Sequence, residues 1–249
     1  MRWMHILKLL AWAADARQIK YGKAPAQKAS KLLEPQGRIL FEENFKDLGD
    51  WHHEGTGRIF ISEPGILRIE CIGSQQGAVG AQAFCRQNFP DSIAIEYDLK
   101  VLTNNGLIIN FVAMQGLAGE DMITDLPPRK GMFKEYTGDD ARLRSYHVSI
   151  SRYDDTSKHT GVSNWRRNPG LHLMSQGPDL CKEIQRWYRI RMIKNGRHCQ
   201  LGVNGQLASE FTDPGALPQP LPTDGKVGFR AIGANVQAMI RNFRVVALR

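Results

Sequence analysis

Residues Trp187–Phe211 read WYRIRMIKNGRHCQLGVNGQLASEF. Trp187–Lys194 has the look of a strand, Asn195-Gly196 of a tight hairpin turn, and His198–Val203 of its partner. Asn204-Gly205 repeats the turn signal before Gln206–Phe211. Asn-Gly is the dipeptide that best accepts the positive φ angles of a two-residue hairpin, so three strands in a meander are expected. On either side the same grammar continues. From Arg38 onward, short runs of alternating or wholly apolar residues are separated by turn residues, the pattern of an all-β sandwich or barrel.

Upstream, Tyr146–His172 reads YHVSISRYDDTSKHTGVSNWRRNPGLH. At the two-residue strand period, His147, Ser149, Ser151 and Tyr153 share one face, and Tyr146, Val148, Ile150 and Arg152 share the other. The polar face adjoins either water or a ligand cleft. After a turn over Asp154–Thr160 come Asn164, Trp165, Arg166, Arg167 and His172. Donors, guanidiniums and aromatic rings thus cluster in a way that suits a polar, anionic ligand.

Further strands are expected at Arg38–Phe45, Ile59–Ile61, Ile66–Cys71, Val79–Arg86, Ile93–Leu102 and Leu107–Met114. Gly225–Ala231 and Gln237–Leu248 close the set at roughly twelve. Ile93, Ile95, Tyr97, Leu99 and Val101 alternate with Ala94, Glu96, Asp98 and Lys100, whereas Leu107–Met114 is apolar on both faces except for Asn110. Between Gln115 and Arg144 the pattern lapses for longer than the ~15 residues usual for an unstructured connection. This segment is read as a loop folding over the groove, with a surface excursion as the alternative.

The chain of 249 residues has a net charge of +8, which favours anionic partners in general. No basic run and no zinc-finger, helix-turn-helix or RNP pattern appears, so nucleic acid is not expected. Cys71, Cys85, Cys181 and Cys199 lack CxxC spacing and read as buried free thiols, a Cys71–Cys85 disulfide being the alternative. The opening MRWMHILKLLAWAADA is read as an amphipathic helix with Trp3, Leu7, Leu10 and Ala14 on one face. A signal peptide over residues 1–14 is the rival, and would make the protein secreted or periplasmic where a cytoplasmic location is otherwise expected. Gln18–Gly37 reads as a linker, so residues 1–37 form an extension and 38–249 one domain. No run approaches the ~20 apolar residues of a membrane span. The extension suits either pairing in a homodimer or removal.

LFEENF (Leu40–Phe45), YHVSISRY (Tyr146–Tyr153), NWRRNPGLHL (Asn164–Leu173) and QGPD (Gln176–Asp179) resemble the YesU-like family of bacterial proteins. That family lies in the concanavalin-like lectin and glucanase jelly-roll group. VNG (Val203–Gly205), GKVGFR (Gly225–Arg230) and IRNFRV (Ile240–Val245) complete the likeness, which spans about residues 38 to 248. The resemblance implies an all-β fold, a concanavalin-like β-jelly-roll sandwich of two curved antiparallel sheets, and a carbohydrate context. By it, the polar face of the His147 strand is the ligand surface.

Residues of these types suit three chemistries. Asn110, Lys134, Tyr136, Ser149, Ser151, Trp165, Arg167 and His172 are candidate substrate contacts, since sugars take stacking rings and hydrogen-bond partners. For β-elimination from a uronate, Arg166 would clamp the carboxylate, Asn164 would help hold the enolate charge, His147 would be the base and Tyr153 the acid. A glycosidase needs two carboxyls on a rigid support. Glu96-Tyr97-Asp98 begins the glucanase pattern, but Lys100 stands near the place of a further acid, so the pair reads as a solvated face. Asp139, Asp140, Asp154 and Asp155 fall in turns. His52 and His53 point to opposite faces of a strand and share no ion. Ser149 and Ser151 lack a nucleophile-elbow context. No cofactor is expected, although a structural calcium ion leaves no sequence trace. The primary expectation is a lyase-like protein acting on an acidic saccharide; a non-catalytic saccharide binder and a hydrolase using loop carboxylates are the alternatives.

Overall fold

The computed structural model describes residues 30–72 and 80–248; the expected N-terminal helix lies outside them. Fifteen strands form two antiparallel sheets. Sheet A contains β1 (Ile39–Glu43), β3 (Arg58–Glu63), β4 (Ile66–Ile72), β6 (Ser92–Val101), β11 (Tyr188–Asn195), β12 (His198–Val203), β13 (Gln206–Thr212) and β15 (Asn235–Ala247). Its order is β13-β12-β11-β6-β15-β4-β3, with β1 beside β15. Sheet B contains β2 (Trp51–Gly55), β5 (Gly80–Cys85), β7 (Gly106–Gly116), β8 (Leu143–Tyr153), β9 (Val162–Asn168), β10 (His172–Pro178) and β14 (Lys226–Ile232). Here the order is β10-β9-β8-β7-β14-β5-β2.

The expected meander forms as β11, β12 and β13, and Asn204, Gly196 and Gly205 take the positive φ their turns require. Three strands escape the sequence pattern: β2, β9 and β10. Their sequences, WHHEG, VSNWRRN and HLMSQGP, carry polar groups on both faces and take their register from β5 and β8 rather than from a hydrophobic period of their own.

Between the sheets, Ile95, Tyr97 and Leu99 of β6 meet Tyr146, Val148 and Ile150 of β8, together with Trp51, Phe229 and Phe243. Trp51 stacks on Phe229 at 5.7 Å and Tyr97 meets the same ring edge-on at 4.9 Å. Such pairs add about 1 kcal/mol each beyond area burial. All four cysteines are buried free thiols, as expected. On sheet A's other face, Leu32 packs among Ala94, Ile193 and Val246. It lies against Gly202, where a Cβ would come within 2.4 Å of its Cδ2.

β7 is apolar on both faces because it has a roof. Residues 117–142 fold over the outer face of sheet B and place Met122, Leu126 and Tyr136 on Phe84, Ile109, Phe111 and Met114. The segment includes one short helix, α1 (Phe133–Thr137). Lys226 Nζ ion-pairs with Asp121 at 2.8 Å, and the Gly131 carbonyl accepts from Gly80 N at 3.1 Å and Arg230 Nη2 at 3.1 Å. Tyr136 Oη donates to Glu54 Oε2 at 2.5 Å, and Arg129 Nε to the same oxygen at 2.9 Å.

Candidate functional site

Cross-strand partners in a sheet project to the same face. On the outer face of sheet B two rows follow from the register. His52, Phe84, Gly228, Phe111, His147, Arg166 and Leu173 form one; Glu54, Gln82, Arg230, Ile109, Ser149, Asn164 and Gln176 form the other. The roof covers the β2, β5, β14 and β7 side of these rows. β8, β9 and β10 carry the rest, and Gln176 is exposed.

His147 sits at the boundary, 2 % exposed. Its ring meets Phe111 edge-on at 5.3 Å and the roof's Phe133 at 6.3 Å. The side-chain amide of Asn168 hydrogen-bonds its Nδ1 at 2.8 Å and Ser145 Oγ at 2.8 Å. Burial, reinforced by the charges of Arg166 and Arg230, holds the imidazole well below its ordinary pKa, so it is neutral at physiological pH.

Beside it, Arg166 Nη1 donates to the Leu171 carbonyl at 2.7 Å. Burial and the neighbouring Arg152 pull the Arg166 guanidinium down to about 10. Arg152 reaches this face through a bulge: β8 gains a residue against β7 between its pairs with Ile108 and Gly106, and Ser151 takes φ +49°. The bulge is clasped by the buried carboxylate of Asp179, which accepts from Arg152 N at 2.9 Å, Cys181 N at 3.1 Å and His159 Nε2 at 3.1 Å. Arg152 Nη1 donates to the Val162 carbonyl at 3.0 Å and, with the Asn164 amide turned to suit, to Asn164 Oδ1 at 3.0 Å. Burial lowers the Arg152 guanidinium pKa as well. Among the described residues no carboxylate lies within ion-pair distance of Arg152 or Arg166. No group of three or more His, Cys, Asp or Glu among those residues is placed to hold a metal ion.

Residues 39–245 match the family described as "Domain of unknown function (DUF1961)". The chain belongs to the DUF1961 family. It is 29% identical over 218 residues to the uncharacterized protein YesU of Bacillus subtilis (strain 168), covering 84% of this chain and 96% of that one. A solved Bacillus subtilis protein of unknown function with a galectin-like fold matches with a TM-score of 0.76 and 26% identity, over 87% of this chain and all of that one. A LamA variant from Z. galactanivorans, solved with laminaritriose and laminaritetraose, shares the fold at a TM-score of 0.56 and 11% identity, over 84% and 98% of the two chains. The resemblance to the YesU-like family and the jelly-roll sandwich are therefore both features of this DUF1961 chain.

Within this DUF1961 fold the expected site residues separate. His147, Ser149, Asn164 and Arg166 come together on the outer face of sheet B. Lys134 is exposed on α1. Asn110 and Trp165 belong to the opposite parity and lie in the interior: Asn110 accepts from Tyr97 Oη, and Trp165 packs against Phe211 at 5.5 Å. Arg167 also turns inward, to an ion pair with Asp213 at 3.0 Å, and Tyr146 Oη donates to the same carboxylate at 2.7 Å. Tyr136 is sealed on the underside of the roof and donates to Glu54. Ser151 is consumed by the bulge, and His172, opposite Arg167, leaves the row. Tyr153 donates to the Lys182 carbonyl at 2.7 Å. At ~3.3 Å per residue it stands roughly 20 Å along β8 from His147, too far for the two to act on one bond. Glu96 and Asp98 form no solvated face: Glu96 is 1% exposed and bridges Arg189, Arg191 and Arg244. Arg152, Asn168 and Gln176 were missed as site residues. Asn168 and Gln176 stand inside the NWRRNPGLHL and QGPD motifs, whereas nothing in the sequence marks the bulge that turns Arg152.

Proposed function

We propose that this protein binds an anionic saccharide of the uronate type across β8, β9 and β10 on the outer face of sheet B. The observation that carries the reading is the pair Arg152 and Arg166, two partly desolvated guanidiniums with no carboxylate within ion-pair distance among the described residues, buried Asp179 acting on Arg152 only from farther off. An anion between them offsets both the desolvation and their mutual repulsion. A carboxylate suits the planar forks, which donate two parallel hydrogen bonds each. Ser149, Asn164 and Gln176 are spaced along the next row for sugar hydroxyls. The fold shared with a saccharide-bound LamA variant supports a saccharide as ligand, and its anionic character rests on the two arginines.

A second reading, β-elimination, draws on the neutral His147 beside Arg166. With the Asn168 amide turned so that its Oδ1 accepts from Nδ1–H, His147 Nε2 would take the proton next to the clamped carboxylate as the carbon–oxygen bond at the neighbouring carbon breaks and a carbon–carbon double bond forms. Phe133 would have to move for that approach, and the acid for the leaving oxygen would be a group other than Tyr153.

Calorimetry with oligouronates and with neutral oligosaccharides tests the first reading, with ultraviolet absorbance and reducing ends followed in parallel. Uronate binding that Arg166→Gln weakens about tenfold or more supports it, and equal affinity for neutral sugars would sink it. Absorbance rising together with reducing ends would establish elimination.

A further inference from the structure

We infer that Asp179 is the positioning residue that makes the face of β8, β9 and β10 selective for an anion, by holding the β8 bulge that turns Arg152 outward. The inference rests on the uronate reading above. Asp179 is 0% exposed, so no ligand touches its carboxylate and any influence on a ligand passes through its neighbours. In a regular strand Arg152 would face the interior and Tyr153 the site. The bulge reverses this through Ser151 at φ +49°, a left-handed conformation that a residue with a Cβ seldom adopts unless its surroundings impose it.

Asp179 imposes it. Its Oδ2 accepts from Arg152 N at 2.9 Å and from His159 Nε2 at 3.1 Å, its Oδ1 from Cys181 N at 3.1 Å, and the Ser151 amide adds a further donor. Gly161 N donates to His159 Nδ1 at 3.2 Å, so the ring proton is on Nε2 and points at the carboxylate. The main chain is tied as well, Asp179 N donating to the Gly161 carbonyl at 3.0 Å. One buried acceptor thus joins the end of β8, the loop 154–161 and the exit from β10. Converging N–H groups suit a carboxylate, which only accepts, and not an amide, whose own N–H groups would meet them.

Bulges commonly re-aim a side chain beside a site. Here the Arg152 head is received by two neutral acceptors, the Val162 carbonyl and Asn164 Oδ1, so its direction depends on the backbone that Asp179 fixes. Asp179 acts on a bound anion in two opposed ways. As a negative charge behind Arg152 it repels the anion, and removing the charge alone would tighten binding. As the anchor of the bulge it favours the anion, and removing it frees Arg152 and weakens binding. Charge and positioning therefore give opposite signs for Asp179→Asn.

The test is calorimetry of the full chain with tetramannuronate and tetragalacturonate, each beside its neutral methyl ester. The unaltered protein is compared with Asp179→Asn, Arg152→Gln and the double variant. Asp179→Asn should weaken binding of the acid about tenfold, as for a lost hydrogen bond to a charged group, and leave the ester unchanged. The double variant should bind no more weakly than Arg152→Gln alone, because both changes act through one guanidinium. A merely structural role would instead weaken acid and ester alike and add to the effect of Arg152→Gln. Should Asp179→Asn lose its fold, His159→Phe decides the matter. It keeps a ring against Tyr153, now edge-on at 5.1 Å, and removes one donor from Oδ2. The expected loss is about threefold for the acid alone. Acid binding that is unchanged or tighter in the folded variant, or equal losses for acid and ester, overturns the inference and leaves the uronate reading standing. An unaltered protein that does not prefer acid to ester removes that reading and the inference with it.

Discussion

On the outer face of sheet A, Arg244, Glu96 and Arg191 alternate across three strands, and Arg241, Asp98 and Arg189 repeat the arrangement in the next row. On the outer face of sheet B, Arg166 and Arg152 lie near one another with no carboxylate of the described residues within ion-pair distance of either. One face holds its guanidiniums by ion pairs made at folding. The other holds them by backbone carbonyls and the Asn164 amide, with Asp179 acting on Arg152 from beyond ion-pair distance. The same residue type is thus ion-paired in one place and, under the proposed function, receptive in the other, and the discriminating property is the neighbour's charge, which register determines.

The sharpest way to break this comparison is to remove Glu96. Glu96→Gln leaves three guanidiniums facing one neutral amide and should cost about 3 kcal/mol, read as a lower midpoint in urea unfolding at constant slope. A change below the precision of that measurement would mean that sheet A's arginines are no more structural than sheet B's. Next in size is Gly131→Ala. Gly131 has φ +86° and its added Cβ would lie 2.3 Å from Gly55 Cα, so the roof must lift from β2 at a cost of about 2 kcal/mol. Hydrogen exchange at residues 117–142 should rise while that of the meander is unchanged.

A smaller effect concerns His147. Its folded pKa lies below its ordinary value of 6.5. Below that pH the unfolded chain binds a proton that the folded chain refuses, so stability falls as pH drops through 6.5, by at most about 1.4 kcal/mol per pH unit. His147→Gln should flatten the curve between neutrality and the carboxylate range, relative to the unaltered protein. Parallel curves would show that the ring is not buried in neutral form. Smallest in stability is Arg166→Gln, expected to alter unfolding by about 1 kcal/mol or less. The same change should weaken oligouronate binding about tenfold to a hundredfold, the contribution of a charge-assisted hydrogen-bonded pair. A large loss of stability instead would place Arg166 with the structural arginines.

Much of the architecture was legible because hydrophobic period and turn chemistry agree in it. Trp187–Phe211 has both, and Ile93–Val101 shows the interior face of β6 residue by residue. β9 and β10 were not legible, since their side chains alternate between an interior that takes polar groups in ion pairs, such as Arg167 with Asp213, and an outer face that is polar anyway. The site was legible in kind but not in membership. A two-residue period counted from His147 places Arg152 with the interior and Tyr153 with the site, and the positive φ of Ser151 reverses both. Trp165 drew notice for its type, yet its position between Asn164 and Arg166 already assigns it to the other face. Tyr136 could not be placed, because its environment is made by Glu54, some eighty residues away.

The strand order has a consequence for how the chain comes to be folded. β15 is the link that joins β1, β3 and β4 to the rest of sheet A, and β14 joins β5 and β2 to the rest of sheet B. Both connecting strands come after every strand they join. A nascent chain lacking residues 226–247 therefore has five unsatisfied strand edges among the described strands, on β1, β4, β5, β6 and β7, and neither sheet can close. Strand pairing over such sequence separations is slow and aggregation-prone. Completion of either sheet thus requires residues 226–247, the final two strands acting as the stitches for both halves.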